Sequence, residues 1–274
     1  LGANLTGGGN IAIGGGTLAN YTASNSLAVG YRALKASTDG HTNLSVGNYA
    51  GDGITTGDNN IMIGYECGSY TTDFVTGGQN VCIGHYITAG GTADSYANAL
   101  GYNLTAHGGY TTLGKGADDI RTSHGSTAWS TVSDERYKKD IEDAKAGLSF
   151  INALRPRTFK YKKLGELPET FRAYEADPIK GEEVFKNTNT NYGFIAQEVK
   201  QVIDADSDLK DGFGLWDERG DGSQEIAETA LIPMLVKAIQ ELSAKNDALE
   251  TENKTQATQI ADLISRVTAL ENAE

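Results

Sequence analysis

The feature that most constrains this 274-residue chain is a short phrase repeated through its first half: an apolar residue, any residue, a second apolar residue and a glycine. The glycines that end successive phrases are 16, 17, 17, 20, 17 and 13 residues apart, which allows one short strand and a turn per repeat. Such a period is typical of a solenoid or a fibre. The clear copies are Ile11–Gly14, Leu27–Gly30, Leu44–Gly47, Ile61–Gly64 and Val81–Gly84, and weaker ones end at Gly101 and Gly114.

Alternation within the phrase places the two apolar side chains on one face of a strand and the middle side chain on the other. We expect the apolar face to contribute one side of the core, and the glycine to allow a bend or a close backbone approach. A second, mostly apolar set lies three residues after each glycine. One strand face and one further residue per coil make a thin core, so we expect neighbouring chains to complete it. The second set is Thr17, Ala33, Ala50, Cys67, Ile87, Leu104 and Ala117.

Two polar features of the repeats have structural interpretations. An asparagine opens several phrases, and we expect it to form turns and to stack between coils rather than to bind a ligand. Cys67 and Cys82 occupy repeat positions that are otherwise small or apolar, which favours structural thiols over a disulfide or a metal site. We predict no metal or cofactor. The asparagines are Asn10, Asn43, Asn60 and Asn80.

The charge balance limits the partners. With 36 acidic and 23 basic side chains the net charge is -13, which argues against nucleic acid or an anionic membrane as the main partner. The sequence contains neither an apolar run that could span a bilayer nor a signal segment, so we expect a soluble protein without membrane insertion. The chain begins at Leu1 inside a repeat, and we expect it to be the C-terminal piece of a longer protein.

The composition changes after the repeats, which we assign to residues 1–117. Residues 118–132 are rich in Ser, Thr and Gly and are predicted to be a connector. Residues 133–228 have the mixed composition of a small α+β domain, with a polar surface loop expected over 163–191. The predicted elements are a helix at Lys145–Leu154 that ends before Pro156, strands at Thr158–Tyr161 and Tyr192–Ala196, and a helix at Gln197–Ile203.

The last segment, residues 229–274, is predicted to be a long helix from Ala230 that ends as a coiled coil. Apolar residues recur every seven positions, and a second set interleaves after steps of four. Polar residues in the middle of the seam weaken it but fix register, and the heptad alone does not decide between two and three strands. The first set is Leu235, Leu242, Leu249, Gln256, Leu263 and Leu270; the second is Ile239, Asn246, Asn253, Ile260 and Val267.

A series of motifs appears in one order from Ser133 to Leu242. The motifs are Ser133-Asp134-Glu135-Arg136, Lys138-Lys139-Asp140-Ile141, Ala153-Leu154-Arg155-Pro156, Phe159-Lys160-Tyr161, Tyr192–Val199 and Leu235–Leu242. Together they resemble the C-terminal intramolecular chaperone of phage tailspikes, endosialidases and tail fibres, a self-cleaving serine peptidase family. The repeats before them are similar to the head repeats of trimeric bacterial adhesins and to phage fibre shafts.

The resemblance implies a serine–lysine pair. Transferred by position, Ser133 is the nucleophile, Lys138 is its base, and the cut falls between Val132 and Ser133. Lys139 is a competing base. A lysine can accept a proton only when it is neutral, and burial in a trimer interface would supply the desolvation that favours this form. A regular helix or strand does not bring side chains five residues apart together, so the segment must turn or bend.

The predicted fold is therefore mainly β plus α+β: a trimeric β-solenoid or interlocked triple β-helix, then a small chaperone domain and a coiled-coil helix. The resemblance implies that this chain belongs to a phage tail fibre or tailspike, which trimerises in the host cytoplasm and releases its chaperone by self-cleavage. The mature fibre, as part of the virion, then binds a host receptor or glycan. Two alternatives stay open. One is a polysaccharide depolymerase with paired carboxylates; the other is a cellular trimeric adhesin or membrane-tethered regulator with the same self-cleaving module.

Overall fold

The computed structural model describes residues 7–209 and 214–272. The chain divides into two compact units, Leu1–Lys139 and Asp140–Glu274. The first holds the repeats and extends a few residues past the predicted cleavage site. The second holds most of the chaperone-like segment and the long helix.

The repeats of the first unit form a β-solenoid in which each coil adds one short strand to a parallel sheet. Strands β1, β2, β3, β4, β5, β7 and β9 pair in that order, and β6 pairs with β8 on another side of the coil. Equivalent phrase residues stack in register, as Ala28 does on Ser45. The strands are β1 (Ile11–Ile13), β2 (Leu27–Val29), β3 (Leu44–Val46), β4 (Ile61–Ile63), β5 (Val81–His85), β6 (Thr88–Ala89), β7 (Asn98–Tyr102), β8 (Thr105–Ala106) and β9 (Tyr110–Lys115).

The direction in which these strands face corrects the sequence prediction. The apolar pair of each phrase faces outwards, as at Ile13, which is 59 % exposed, and Leu100, which is 54 % exposed. The middle residue faces the core, because the narrow interior of the coil accommodates mainly small side chains alongside the second apolar set. The expectation that the apolar pair forms the core of the single chain was wrong. The buried middle residues are Ala28, Ser45, Met62, Cys82, Ala99 and Thr112.

The prediction for the second set is confirmed over six coils. Thr17, Ala33, Ala50, Cys67, Ile87 and Leu104 are at most 4 % exposed. Ala117 is exposed because it lies in the turn between β9 and the next strand, where the coil has ended. The repeat glycines also have the predicted role: Gly47 has a φ of +136°, and a Cβ on it would lie 2.2 Å from the Gly64 carbonyl oxygen of the next coil.

The asparagines form a buried ladder between coils. The Asn43 Oδ1 atom accepts a hydrogen bond from the Asn60 backbone N–H at 2.9 Å, and Asn60 Oδ1 accepts one from the Asn80 N–H at 3.1 Å. The side-chain amide of Asn60 donates to the Gly77 carbonyl at 3.0 Å. The expected stacking of asparagines is thus confirmed, and each amide satisfies backbone groups that would otherwise be buried without partners.

The segment predicted to be a connector contains two further strands of the solenoid sheet. Strand β10 (Asp118–Ser123) returns antiparallel to β9, and β11 (Ser130–Thr131) pairs antiparallel to β10. The hairpin covers the last parallel edge of the sheet, which would otherwise be open to pairing with another chain. It also leads the chain directly to Val132 and Ser133.

The second unit has an α+β core, as predicted. Helix α1 (Leu148–Ala153) ends before Pro156, β12 (Arg157–Phe159) pairs antiparallel with β13 (Asn191–Gly193), and helix α2 (Ala196–Ala205) follows. The hairpin of β14 (Trp216–Glu218) and β15 (Gln224–Ile226) was not predicted from the sequence. Between β12 and β13 the polar segment contains only short 3₁₀ turns and a single bridge. The core residues are Ala146, Phe150, Leu154, Val199, Ile203, Leu215 and Leu231.

Helix α3 (Ile232–Glu271) is 40 residues long and begins after a 3₁₀ turn at Glu228–Leu231. Its first turns pack on α1, but the remainder leaves its heptad side chains 42–71 % exposed, from Leu235 to Leu270. The long helix predicted from the heptads is confirmed, with a start two residues later. In the described ranges, the structure contains no helix of the length and apolar character that a bilayer span requires.

Candidate self-cleavage site

The structure brings together the two residues that the sequence singled out. The Lys138 Nζ atom donates a hydrogen bond to the Ser133 Oγ atom at 2.8 Å. A 3₁₀ turn at Glu135–Tyr137 lies between them and shortens the path, so that side chains five positions apart point to one place. The expected bend in this segment is confirmed.

Asp134 holds the turn in place. Its carboxylate accepts a hydrogen bond from the Arg136 backbone N–H at 2.9 Å and pairs with the guanidinium of the same residue through Nε at 2.9 Å and Nη2 at 2.7 Å. The hydrogen bond from the Arg136 side chain is the largest of the causes that lower the pKa of Asp134 below its ordinary value. Asp134 is thus an ionised N-cap, and it positions the residues on either side of the turn.

The pair lies on the surface of the single chain. Ser133, Lys138 and Lys139 are exposed, and Val132, whose carbonyl would be attacked, is 44 % exposed. In the observed contact lysine is the donor, whereas a general base has to accept the serine proton. Removing water from the amine favours its neutral form. The Ser133 hydroxyl and the Lys138 amine are thus within hydrogen-bond distance, and both residues are exposed to solvent in the single chain.

Trp129, which lies four residues before Ser133, is 50 % exposed.

The two cysteines offer no alternative nucleophile. Both are buried and unpaired with each other, and burial raises the pKa of Cys67 to about 12. Their interpretation as structural thiols agrees with this. In the part of the chain that is described, no group of three or more His, Cys, Asp or Glu side chains could hold a metal ion.

Residues 133–207 match the family model described as "Chaperone of endosialidase". The match begins at the serine of the candidate pair and runs through helix α2. It supports the resemblance found in the sequence, and it supports an autocleaving chaperone module in this segment. A search of curated proteins gives no match to the chain. A search of solved structures gives none either.

Other motif residues of the chaperone module form its scaffold. Glu198 on α2 accepts a hydrogen bond from the Arg157 Nε atom of β12 at 2.9 Å, and this pairing lowers the pKa of the Glu198 carboxyl. Glu241 on α3 accepts a hydrogen bond from the backbone N–H of Leu148 at 2.9 Å and so caps α1. The sequence contained both glutamates within its motifs but gave no sign of these roles, because their partners lie 41 and 93 residues away.

Proposed function

We propose that this chain is the C-terminal part of a phage tail fibre or tailspike. Three copies fold in the host cytoplasm with the help of the chaperone module, which then cuts the bond between Val132 and Ser133. The mature fibre stays with the virion and binds a host-cell receptor or glycan. The observation that carries the proposal is the 2.8 Å contact between Lys138 Nζ and Ser133 Oγ at the first residue of the matched family segment.

The geometry supports an acyl shift from nitrogen to oxygen. The Ser133 Oγ atom attacks the Val132 carbonyl carbon while Lys138 takes the hydroxyl proton. As the carbon–nitrogen bond breaks, that proton passes to the Ser133 nitrogen, which leaves as a free amine. Water then hydrolyses the ester, giving a carboxylate at Val132 and restoring the serine hydroxyl. The reaction needs no cofactor.

Two outward apolar surfaces support assembly with other copies. The first is the stripe formed by the outward phrase residues of the solenoid, among them Ile11, Ile13, Ile83 and Leu100 at 39–59 % exposed. The second is the heptad seam of α3. Contiguous exposed apolar surface of this kind marks an interaction site. A trimer is the assembly that the resemblance implies, with the chains parallel.

Assembly also explains how cleavage is timed. The Ser133–Lys138 pair is exposed in one chain, so the desolvation that a lysine base needs has to come from neighbouring copies. A loose chain is then uncut, and a correctly assembled one is cut. The chaperone module therefore remains attached for as long as it is needed.

The test is expression of the whole chain with single substitutions, followed by a denaturing gel and N-terminal sequencing of the fragments. The unmodified chain should give a C-terminal fragment that begins at Ser133. Ser133→Ala and Lys138→Ala should leave full-length chain, and Lys139→Ala is the matched control that should cut normally. Normal cutting by Lys138→Ala together with loss of cutting by Lys139→Ala would show that the base has been assigned to the wrong lysine.

A further inference from the structure

A cavity of about 570 Å³ lies near the C-terminal end of the solenoid, between the turns that carry Thr71, Thr88 and Thr105 and the last strands of the long sheet. Cavities of this size are typical of small-molecule sites. Its walls come from turns of successive coils and from the β10–β11 hairpin, all within the first unit. The residues used below are Tyr70, Thr71, Thr88, Thr105, Asp119 and Arg121.

One wall is a row of hydroxyl groups. The Thr71 and Thr88 Oγ1 atoms are 2.8 Å apart, and Thr88 is in register with Thr105 across the parallel pair β6–β8. The strand spacing therefore repeats a hydroxyl about every 4.8 Å along the fibre axis. The Thr88 hydroxyl also accepts a hydrogen bond from the Thr72 N–H at 2.8 Å and donates to the Thr72 carbonyl at 3.3 Å, so it is fully engaged. The capacity left for a ligand that carries hydroxyls of its own lies with Thr71 and Thr105.

A second set of lining residues, from the β10–β11 hairpin, carries more polar groups. The Thr131 hydroxyl donates to the Asp119 carbonyl at 2.8 Å, and the Ser130 hydroxyl donates to the Arg121 carbonyl at 3.1 Å. Both hydroxyl oxygens remain available as acceptors. The Arg121 guanidinium lies over the Tyr110 ring, 5.5 Å from its centre, and this fixes its position.

An aromatic ring lies beside these hydroxyls. Tyr70 is 44 % exposed, and its ring centre is 4.7 Å from that of Tyr86. Tyr86 belongs to a ladder of edge-to-face tyrosines with centres 5.4–6.1 Å apart that begins at Tyr31. The ladder exists because five successive coils place a tyrosine one or two residues after the phrase glycine. It holds the Tyr70 ring in place, with one part of the ring facing the cavity.

We infer that this cavity binds a neutral saccharide. The C–H face of a sugar ring packs on an aromatic ring while its hydroxyls bond to rows of hydroxyl, amide and charged groups, and the cavity provides both surfaces. Its charged lining pairs one carboxylate, Asp119, with one guanidinium, Arg121. Residues 1–132 contain 8 acidic and 4 basic side chains, so the surrounding field disfavours an acidic sugar.

The inference says where on the chain the receptor binding of the proposed function takes place. It rests on the proposed function only for the biological source of the glycan. Binding is therefore tested in the Ser133→Ala chain, which the proposed mechanism leaves uncut. A neutral glycan bound by a chain that never cleaves would support the site even if the cleavage proposal fails. Normal cleavage without glycan binding would overturn the site alone.

The experiment applies the full-length Ser133→Ala chain to an array of neutral and acidic bacterial surface oligosaccharides and measures the best neutral one by titration calorimetry. We expect retention of neutral oligosaccharides. Removal of the ring in Tyr70→Ala should weaken binding roughly tenfold. Tyr70→Phe keeps the ring and should bind almost as well, while Thr105→Val removes one hydroxyl from the row and should weaken binding several-fold.

Tyr31→Ala is the matched control, because Tyr31 is a similarly exposed tyrosine at the far end of the same ladder. It should leave binding unchanged. The proposal is overturned if no neutral oligosaccharide is retained, if only acidic ones are, or if Tyr31→Ala weakens binding as much as Tyr70→Ala. Thermal melting of each variant shows whether it is folded, and loss of binding by a folded Tyr70→Phe chain would also count against the inferred stacking.

Discussion

The solenoid and helix α3 both expose apolar side chains, but they differ in how much packing each has within a single chain. The solenoid has a core of its own, in which Tyr21, Phe74 and Met62 are fully buried, and its outward stripe is an additional layer. In α3, Ala238 is the last buried residue and Glu241 still contacts α1, but every side chain from Leu242 to Leu270 is exposed. Most of the stability of a helix in water comes from packing of its apolar face. The solenoid therefore has packing of its own, whereas the distal turns of the helix have none within the described chain.

This difference has a consequence for assembly. In the trimer that we propose, three solenoids could associate in several registers at similar free energy, because successive coils present nearly the same outward residues. The helix seam contains Asn246, Asn253 and Gln256, which match only in one alignment. Pairing of the helices in the proposed trimer would set a common register, and the solenoid contacts that follow would form at high effective concentration.

The largest effect should come from removing the helix and the chaperone module at different times. A gene truncated after Val132 should give aggregated or misregistered protein, because the coils associate without a common register. Removal of residues 133–274 after assembly should leave the trimer intact, since a kinetic barrier then retains the fibre. The measurement is the yield of SDS-resistant and heat-resistant trimer from each preparation. Equal yields would rule out a chaperone role for the segment.

The next effect concerns the seam alone. Leu249→Lys or Leu263→Lys places a charge where the heptad pattern predicts contact between helices, and should dissociate the proposed trimer into single chains. Thr258→Lys is the matched control, because Thr258 is exposed on the same helix but lies outside both heptad sets. Sedimentation or mass photometry gives the number of chains. If the trimer survives both seam substitutions, the outward stripe of the solenoid, rather than the helix seam, holds the chains together.

Most of the fold was predictable because the glycine spacing determines one strand per coil. What alternation alone did not determine was which side of the strand faces inwards. At Met62 and Cys82 the middle residue is itself apolar, but at Ser45 and Thr112 it is polar and still buried. At Ser45 hydrophobicity points to the flanking pair, whereas the small side-chain volume points to the middle residue, and in this narrow coil the small residue faces inwards. At Met62 the middle residue is as large as its isoleucine neighbours, so volume alone does not distinguish the two faces there. An apolar pair on the outside is what a chain that associates with copies of itself requires.

A smaller and more local effect tests whether the middle residue of each phrase faces the core and the flanking pair faces outwards. Met62→Ala removes a fully buried side chain and should lower the free energy of unfolding by about 2–5 kcal/mol at any protein concentration. Ile83→Ala removes an outward side chain, 39 % exposed, and should cost less than about 1 kcal/mol within the chain. Its remaining cost should depend on protein concentration, as expected of an intermolecular contact. Thermal melts over a range of concentrations make the comparison, and an Ile83→Ala loss that is large and independent of concentration would contradict it.

The candidate site was predictable only through its motif. Ser133 and Lys138 come from an ordered set of short motifs, and no periodicity points to them. The 3₁₀ turn that joins them depends on Asp134, whose capping role follows from the residue type once the turn is known. The saccharide cavity was not predictable, because its hydroxyl row comes from coils about 17 residues apart and becomes a wall only after stacking.

The smallest effect should come from Asp134, which acts through the turn. Hydrogen bonds from Arg136 lower the pKa of its carboxyl, so its contribution is fully present above the ordinary aspartate pKa and is lost only as pH falls through the lowered value. Asp134→Ala should slow self-cleavage roughly threefold, because the Ser133–Lys138 contact is then formed for a smaller fraction of the time. Asp134→Asn keeps an acceptor for the Arg136 N–H and should recover part of the rate. Since Asp134 stays ionised from about pH 5 to pH 8, the ratio of unmodified to Asp134→Ala rates should be constant over that range. A ratio that changes with pH there would show that Asp134 takes part in the proton transfer, rather than only positioning the pair.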